Sequence, residues 1–275
     1  MSIDQLLSCA VEQGASDLHL ISGLPPIQRI DGQLVQMEEP PLTPQDTDFM
    51  ARQLLRKEQL ESFASKGGVD LAYSKPSLGV FRVSCYRQRG TVGIAIRVLN
   101  TRIPTITELE LPATIATMAR SNRGLILVTG PTGSGKSTTM AAVVNQINSE
   151  SAVHIITIED PIEFYHKPKK GVITQREIGR DSISFPSALR ASLRQDPDVI
   201  MIGEMRDLET ISTAVTAAET GHLVLATLHT IDAAQTVERI IDVFPSTQQS
   251  QIRAQLANSL VGIISQRLLR RNGRS

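Results

Sequence analysis

The spacing of apolar residues divides the chain into two parts with different periodicity. In the first hundred residues, one helical stripe is formed by Ile3, Leu6, Leu7, Ala10 and Val11. A second helix, carrying Phe49, Met50 and Leu54, is predicted after "LTPQD", and "VDLAYS" has the composition of a strand. Asp31-Gly32 and Arg89-Gly90 are the turns of two predicted hairpins. This mixture predicts a small α+β domain over residues 1–100.

From Arg123 onward, short apolar runs alternate with amphipathic helices. The predicted strands are "GLILVTG", "VHIITIED", "VIMIGE" and "LVLATLHT", and none of them alternates between polar and apolar residues. Continuous apolar strands are typical of a parallel sheet that is covered on both faces, so this part is predicted to be a doubly wound α/β domain over residues 113–275. The polar, Pro-containing segment 101–112 is predicted to be a linker.

Composition narrows the classes of protein to consider. The chain has 275 residues with 41% hydrophobic residues, enough for two domain cores. Its 28 basic and 28 acidic residues cancel, which argues against a nucleic-acid partner bound through overall charge. Cys9 and Cys85 can form neither a disulfide framework nor a four-Cys zinc site, so a cytoplasmic location is expected. No run of about 18 apolar residues predicts an integral membrane segment.

A phosphate-binding loop is the strongest motif. "GPTGSGKST" fits G-x-x-x-x-G-K-[ST] and lies between a buried strand and an amphipathic helix. Its glycines allow backbone N–H groups to face phosphates, Lys136 is placed to reach the β- and γ-phosphates, and Ser137 is placed to bind Mg²⁺. The predicted nucleotide-binding residues here are Gly130, Pro131, Thr132, Gly133, Ser134, Gly135, Lys136, Ser137 and Thr138.

Carboxylates follow two other predicted strands. Glu159, Asp160 and Glu163 in "TIEDPIEF" are expected to contact Mg²⁺ or its waters beside the phosphates, with Glu163 acting through a water. The alternative is a solvated acidic loop. Glu204, which follows "VIMIG", is placed to orient or deprotonate the attacking water. The alternative for Glu204 is an acid that favours the amino end of the next helix.

Two histidines flank the predicted strand "LVLATL". His222 precedes this strand and His229 follows it. Either could sense the γ-phosphate or connect the site to a neighbouring subunit, whereas a lone histidine is more often a structural residue. Zinc is not expected, because neither a cysteine nor a third histidine is close in sequence.

An arginine pair is predicted in the first domain. A two-residue turn at Arg89-Gly90 makes cross-strand partners whose numbers sum to 179, which places Arg82 directly opposite Arg97. Like charges in this arrangement are destabilising unless an anion lies near them. They are predicted to reach the nucleotide phosphates at a domain or subunit interface, or else to point into solvent or pair with nearby acids.

Together these motifs resemble a known family. "GASDLHL", "GPTGSGKST", "ITIEDPIEF", "LRQDPDVIMIGEMRD", "ETGHLVLATLHT" and "VFPSTQQSQIRAQLANSL" are similar to segments of the PilT-like retraction ATPases of type IV pili, within the secretion-ATPase superfamily. The resemblance implies a PAS-like first domain, a RecA-like P-loop ATPase domain, and a homohexameric ring that binds ATP and Mg²⁺. It also implies an inner-membrane pilus platform protein as partner, and a location in the cytoplasm or peripherally at the inner membrane.

The resemblance assigns roles to the same positions. Gly130 to Ser137 correspond to the Walker A motif, Glu159 to Glu163 to the Asp box, and Glu204 to the Walker B glutamate. His222 and His229 correspond to the His box. Arg82 and Arg97 fall where the family has arginines that contact phosphate.

Three functions are consistent with these observations. The leading hypothesis is an ATPase that powers pilus retraction or a related secretion machine. The sequence ends at "QRLLRRNGRS", before the further strand and helical domain that the family has, which indicates a shortened chain or a truncated gene and leaves open a non-motor partner subunit of a full-length paralogue. A DNA-directed RecA-like motor is disfavoured by the absence of Trp and by 3% aromatic residues.

Overall fold

The chain forms two compact units. The structure, a computed structural model, describes residues 2–75, 78–99 and 102–269. The units are Met1–Thr101 and Arg102–Ser275. The predicted limit of the first domain, at residues 100 and 101, lies outside the described residues, as does the end of the "QRLLRRNGRS" segment from residue 270.

An antiparallel sheet with helices forms the first unit, in agreement with the predicted α+β class. The sheet order is β3-β2-β1-β6-β5-β4. The elements are α1 (Ile3–Glu12), β1 (Asp17–Ile21), β2 (Ile27–Ile30), β3 (Gln33–Gln36), α2 (Pro44–Leu54), α3 (Lys57–Lys66), β4 (Gly68–Lys75), β5 (Gly79–Gln88) and β6 (Thr91–Leu99).

Local sequence explains where the first helices begin and which faces they bury. Ser2 and Thr43 each form a capping box at the start of α1 and α2. The predicted stripe on α1 is buried except for Val11, which is 39% exposed. Phe49, predicted on the apolar face of α2, is instead exposed, while Met50 and Leu54 of the same helix are buried. Helix α3 was not predicted, because few of its residues are apolar.

The predicted register of the β5–β6 hairpin is confirmed. Phe81 pairs with Val98, and Arg82 pairs with Arg97. The turn residue Arg89 has φ 47°, as the tight hairpin requires. Alternate residues of both strands therefore enter the core of the unit, and the two arginines share the opposite face.

A parallel sheet forms the centre of the second unit, as predicted. The sheet order is β12-β7-β11-β10-β8-β9, and every pairing in it is parallel. The elements are α4 (Ala113–Met118), β7 (Gly124–Thr129), α5 (Lys136–Glu150), β8 (His154–Glu159), β9 (Val172–Glu177), α6 (Phe185–Ser192), β10 (Val199–Ile202), α7 (Leu208–Glu219), β11 (Leu223–Leu228), α8 (Ala233–Asp242), α9 (Gln249–Ser259) and β12 (Leu260–Ser265).

Helices cover this sheet on both faces. Leu125 and Leu127 of β7 belong to a core with α6, α7, α8 and α9, whereas Ile126 and Val128 belong to a second core with α4 and α5. Successive side chains of each central strand thus enter opposite cores, which is why these strands are apolar throughout. The second core also includes Ile106, from the segment that was predicted to be a linker.

Some elements of the second unit were not predicted. These are edge strands β9 and β12 and helices α4, α8 and α9, although β12 is largely apolar and α8 is strongly amphipathic. Among the residues that the structure describes, no helix combines the length and the hydrophobicity needed to cross a bilayer.

Candidate nucleotide site

The phosphate-binding loop connects β7 to α5 at the carboxyl edge of the parallel sheet. Helix α5 begins at Lys136, and its N-cap Gly135 has φ 88° and no side chain to cap the helix. The first N–H groups of α5 are therefore open to an anion. The Lys136 ammonium donates hydrogen bonds to the carbonyl oxygens of Gly130 at 2.8 Å and Pro131 at 3.0 Å. Burial lowers the pKa of Lys136, and the Glu204 carboxylate opposes that shift.

The backbone on both sides of Glu204 is fixed by the neighbouring strands. The Gly203 N–H donates to the carbonyl of Ile158, and the Gly203 carbonyl accepts from the Thr227 hydroxyl. The Met205 N–H donates to the carbonyl of Thr227 at 3.1 Å. A Cβ at position 203 would lie 3.2 Å from the Ile158 carbonyl oxygen, so glycine permits this close approach. The main chain at Glu204 is consequently held at a defined point of the sheet edge.

An arginine and a histidine lie beside the Glu204 carboxylate. Arg206 Nη2 lies 2.7 Å from Glu204 Oε2, and His229 Nε2 lies 3.6 Å from the same oxygen. The Glu204 side chain is 21% exposed, so it is shielded from bulk water yet reachable from the cleft. A carboxylate in this setting can accept a proton or a hydrogen bond from a water molecule.

The acids after β8 differ in environment. Glu159 is buried and accepts hydrogen bonds from the Thr157 hydroxyl at 2.6 Å and from Gln175 Nε2 at 3.3 Å. Burial raises the pKa of Glu159, while these hydrogen bonds act in the opposite direction. Asp160 and Glu163 are exposed. Glu159 therefore anchors the loop, and Asp160 and Glu163 are the carboxylates available to a ligand.

These side chains line one cleft of about 520 Å³. The sequence-predicted residues that line it are Thr132, Gly133, Gly135, Lys136, Ser137, Thr138, Glu159, Asp160, Glu163, Glu204 and His229. Gly130, Pro131 and Ser134 belong to the same loop but not to the cleft wall. Oxygen donors dominate among the predicted residues, and they suit Mg²⁺ more than a softer metal. Within residues 2–75, 78–99 and 102–269, no three His, Cys, Asp or Glu side chains converge as a complete protein-held metal site.

The two predicted histidines lie at opposite edges of the sheet. His229 follows the carboxyl end of β11 and contacts Glu204. His222 precedes β11, and its Nδ1 lies 3.0 Å from the Ala217 carbonyl at the end of α7. Because the six residues of β11 separate it from His229, His222 lies away from the loop of its own chain, and the prediction that it senses the γ-phosphate there is corrected; a connection to a neighbouring subunit stays a prediction.

The arginine pair of the first unit has an anion beside it. Arg97 Nε donates to Asp17 Oδ1 at 3.0 Å, so this arginine is paired with a nearby acid. Burial acts to raise the pKa of Asp17, but hydrogen bonds from Ser16 and Arg97 outweigh it and lower that pKa. Within the described part of the chain, the Arg82 side chain is exposed and forms no hydrogen bond or ion pair.

Part of the cleft wall was not predicted from the sequence. The additional lining residues are Met140, Ala141, Pro161, Phe164, His166, Phe185, Met201, Gly203, Thr227 and Leu268. His166 is the one with unusual chemistry: its Nδ1 is buried without a hydrogen-bond partner in the described residues. Burial, and secondarily the charge of Lys169, lowers the pKa of His166 to about 4. Its closeness in sequence to the acidic loop was the only available signal.

We expect His166→Asn to make the protein less sensitive to acid. Because the folded-state pKa of about 4 lies below the ordinary value of 6.5, the unfolded chain binds the extra proton first as pH falls. This histidine therefore stabilises the fold above pH 6.5, and that contribution is lost towards pH 4. Urea unfolding from pH 7.5 to 4.5 should show a fall in unfolding free energy that is smaller in the variant by about 2 kcal/mol. Identical pH profiles would contradict the assignment.

The fold and this site define a class of protein. A parallel sheet with helices on both faces and a phosphate-binding loop at its carboxyl edge is the α/β fold of the P-loop ATPases. The chain belongs to the family of type II/IV secretion system proteins, whose family model matches residues 1–274.

The similarity to individual relatives extends over nearly the whole chain. The type IV pilus retractation ATPase PilT of Pseudomonas aeruginosa is 45% identical over 99% of this chain and 79% of its own length. A twitching motility protein of Neisseria gonorrhoeae is 42% identical over 98% of this chain and 72% of its own. The crystal structure of the pilus retraction motor PilT with bound ADP superimposes with a TM-score of 0.93 at 49% identity, covering 99% of this chain and 80% of that one.

Proposed function

We propose that this protein hydrolyses ATP to ADP and phosphate to power type IV pilus retraction, and thereby twitching motility, or a related secretion machine. The observation that carries the proposal is that Lys136 and Glu204 face the same cleft at the carboxyl edge of the sheet. One side chain can bind phosphate and the other can act on water. Relatives described as a pilus retraction ATPase and as an ADP-bound retraction motor support the same conclusion.

The loop and the start of α5 would bind the phosphates. The N–H groups of Gly133, Gly135 and the first turn of α5, together with the Lys136 ammonium, would provide positive potential where the β- and γ-phosphates lie. The Ser137 hydroxyl is the direct protein ligand proposed for Mg²⁺, and Glu163 would bind it through a water. When bound, Mg²⁺ neutralises charge on the phosphate oxygens. Asp160 has the exposure needed to bind a second water of that shell.

Glu204 would orient the attacking water and accept its proton. The backbone of its neighbours Gly203 and Met205 is hydrogen-bonded to Ile158 and Thr227, which limits movement of the main chain that carries the carboxylate. His229 lies 3.6 Å from that carboxylate and is positioned to respond to the γ-phosphate. Arg82 and Arg97 are proposed to reach the phosphates from a neighbouring domain or subunit, which for Arg97 would require releasing Asp17.

The proposed assembly is a homohexameric ring. A ring would supply the neighbouring subunit from which a second set of cations could complete the nucleotide site. Its proposed partner is a pilus platform protein of the inner membrane, and its proposed location is the cytoplasm, either free or peripherally at that membrane. Measuring mass in solution with and without a non-hydrolysable ATP analogue tests the ring, which is contradicted by a monomer under both conditions.

We expect Lys136→Ala to raise the dissociation constant for ATP by at least about 100-fold, because a charge-assisted contact to the phosphates is lost from a shielded site. Binding of a fluorescent ATP analogue, together with phosphate release, measures this effect. Lys66→Ala, at an exposed lysine of α3, is the matched control and should bind normally. Normal ATP binding and turnover by Lys136→Ala would overturn the proposed function.

A further inference from the structure

Gln266 lies against the beginning of the phosphate-binding loop. Strand β12 pairs with β7 up to Ser265 opposite Thr129, and the Gln266 N–H extends this ladder by donating to the Thr129 carbonyl at 2.8 Å. The Gln266 carbonyl oxygen then packs on Gly130, where a Cβ would stand under 3.0 Å from it. The main chain of Gln266 thus contacts the two residues at which β7 ends and the loop begins.

The side chain of Gln266 reaches the other end of the loop. Its Nε2 donates to the Thr139 hydroxyl at 2.8 Å. Thr139 lies in the first turn of α5, three residues after Lys136, and is 2% exposed. One residue that is distant in sequence therefore spans the loop from Thr129 to Thr139.

Two polar atoms around this contact have no partner. Within the described residues, Gln266 Oε1 and Ser134 Oγ are both buried without a hydrogen bond. Ser134 Oγ would also lie 2.6 Å from a Cβ at Gly130, which places it at the same end of the loop. Buried polar atoms without partners are unfavourable for folding. An apolar side chain at position 266 would avoid part of that cost, so stability alone does not account for a glutamine here.

We propose that Gln266 is a positioning residue for the phosphate-binding loop. By fixing Thr129, Gly130 and Thr139 relative to one another, it holds the loop N–H groups in the arrangement that phosphates require. Preorganisation of this kind improves affinity without any contact to the ligand. The inference rests on the proposed nucleotide binding and goes beyond it, because the loop motif ends at Thr138 and does not include residue 266.

The test removes each half of the hydrogen bond in the full chain. Gln266→Met keeps the length of the side chain but removes both polar atoms, and Thr139→Val removes the hydroxyl at nearly constant volume. Thr139→Ser, by contrast, keeps the hydroxyl. Gln251→Met, at an exposed glutamine of α9, is the matched control. The measurements are the dissociation constant for ADP, kcat at saturating ATP, and Tm without nucleotide.

We expect Gln266→Met and Thr139→Val each to weaken ADP binding about tenfold. A loss of this size is usual when one partner of a buried hydrogen bond is removed and the other is left unsatisfied. The double variant should be no weaker than about tenfold, since both changes break the same contact. Thr139→Ser, which keeps the hydroxyl, and Gln251→Met should bind ADP normally, and Gln251→Met should have the kcat of the unaltered protein.

Two results overturn the inference. The first is a lower Tm with unchanged ADP binding in Gln266→Met, which would show a purely structural role. The second is an additive loss of about 100-fold in the double variant, which would show that the two residues act independently. If the unaltered protein bound no ADP, the proposed function would fail and the inference with it, so the two failures are distinguishable.

Discussion

Glu204→Gln is expected to lower kcat for ATP hydrolysis by about 100-fold or more, the usual contribution of a positioned base, while ATP still binds. Glutamine keeps the shape of the side chain but cannot take a proton from water. Removing a negative charge near Lys136 does not weaken the attraction for phosphates, so the dissociation constant for ATP should stay within about threefold. Phosphate release and equilibrium binding of an ATP analogue separate the two effects.

The matched control for this experiment is Glu238→Gln on α8. Glu238 is exposed, so the same chemical change there should leave turnover unaltered. Hydrolysis by Glu204→Gln at the rate of the unaltered protein would exclude Glu204 as the base. Loss of both binding and turnover would instead indicate that Glu204 supports the loop, through its charge or through its ion pair with Arg206.

Gly130→Ala is expected to lower both the stability of the protein and its affinity for nucleotide. Gly130 has φ 147°, where a side chain is strained, and the new Cβ would overlap the Gln266 carbonyl and approach Ser134 Oγ to 2.6 Å. Strain and overpacking together should lower the unfolding free energy by about 2–5 kcal/mol. The loop must shift to relieve the overlap, so ADP affinity should also fall by more than about tenfold.

Gly221→Ala separates backbone strain from crowding. Gly221 lies in the same unit with φ 120°, and a Cβ there would meet no atom within 4 Å. It should lose about 1–3 kcal/mol of stability through strain and keep its affinity for ADP. Chemical unfolding and ADP titration of both variants measure the difference. If Gly130→Ala lost no more stability and affinity than Gly221→Ala, the tight contact between β12 and the loop would be refuted.

Local sequence patterns were sufficient for the features that depend on neighbouring residues. The Arg89-Gly90 turn fixed the β5–β6 register, and therefore the opposition of Arg82 and Arg97, because side chains alternate along paired strands. The runs of apolar residues predicted that strands and helices alternate along the second unit. The loop motif and Glu204 were found because each follows an apolar run that ends abruptly at the carboxyl edge.

Features that depend on distant contacts could not be read from the sequence. Gln266 lies 127 residues from Thr139, and no local pattern connects them. The pairing of Arg97 with Asp17 depends on β1 and β6 being neighbours in the sheet. His222 lies at the opposite edge of the sheet from His229, because one residue precedes the parallel strand β11 and the other follows it.

The hydrogen bonds of Lys136 to Gly130 and Pro131 have a consequence for ligand selection. The ammonium already has two neutral carbonyl acceptors, so an entering ligand exchanges contacts instead of simply adding them. Only an acceptor that carries negative charge improves on a carbonyl by a substantial margin. A nucleoside without phosphates gains almost nothing from this exchange, whereas each anionic oxygen gains more. We therefore expect the loop to favour phosphate-bearing ligands over uncharged molecules of similar shape.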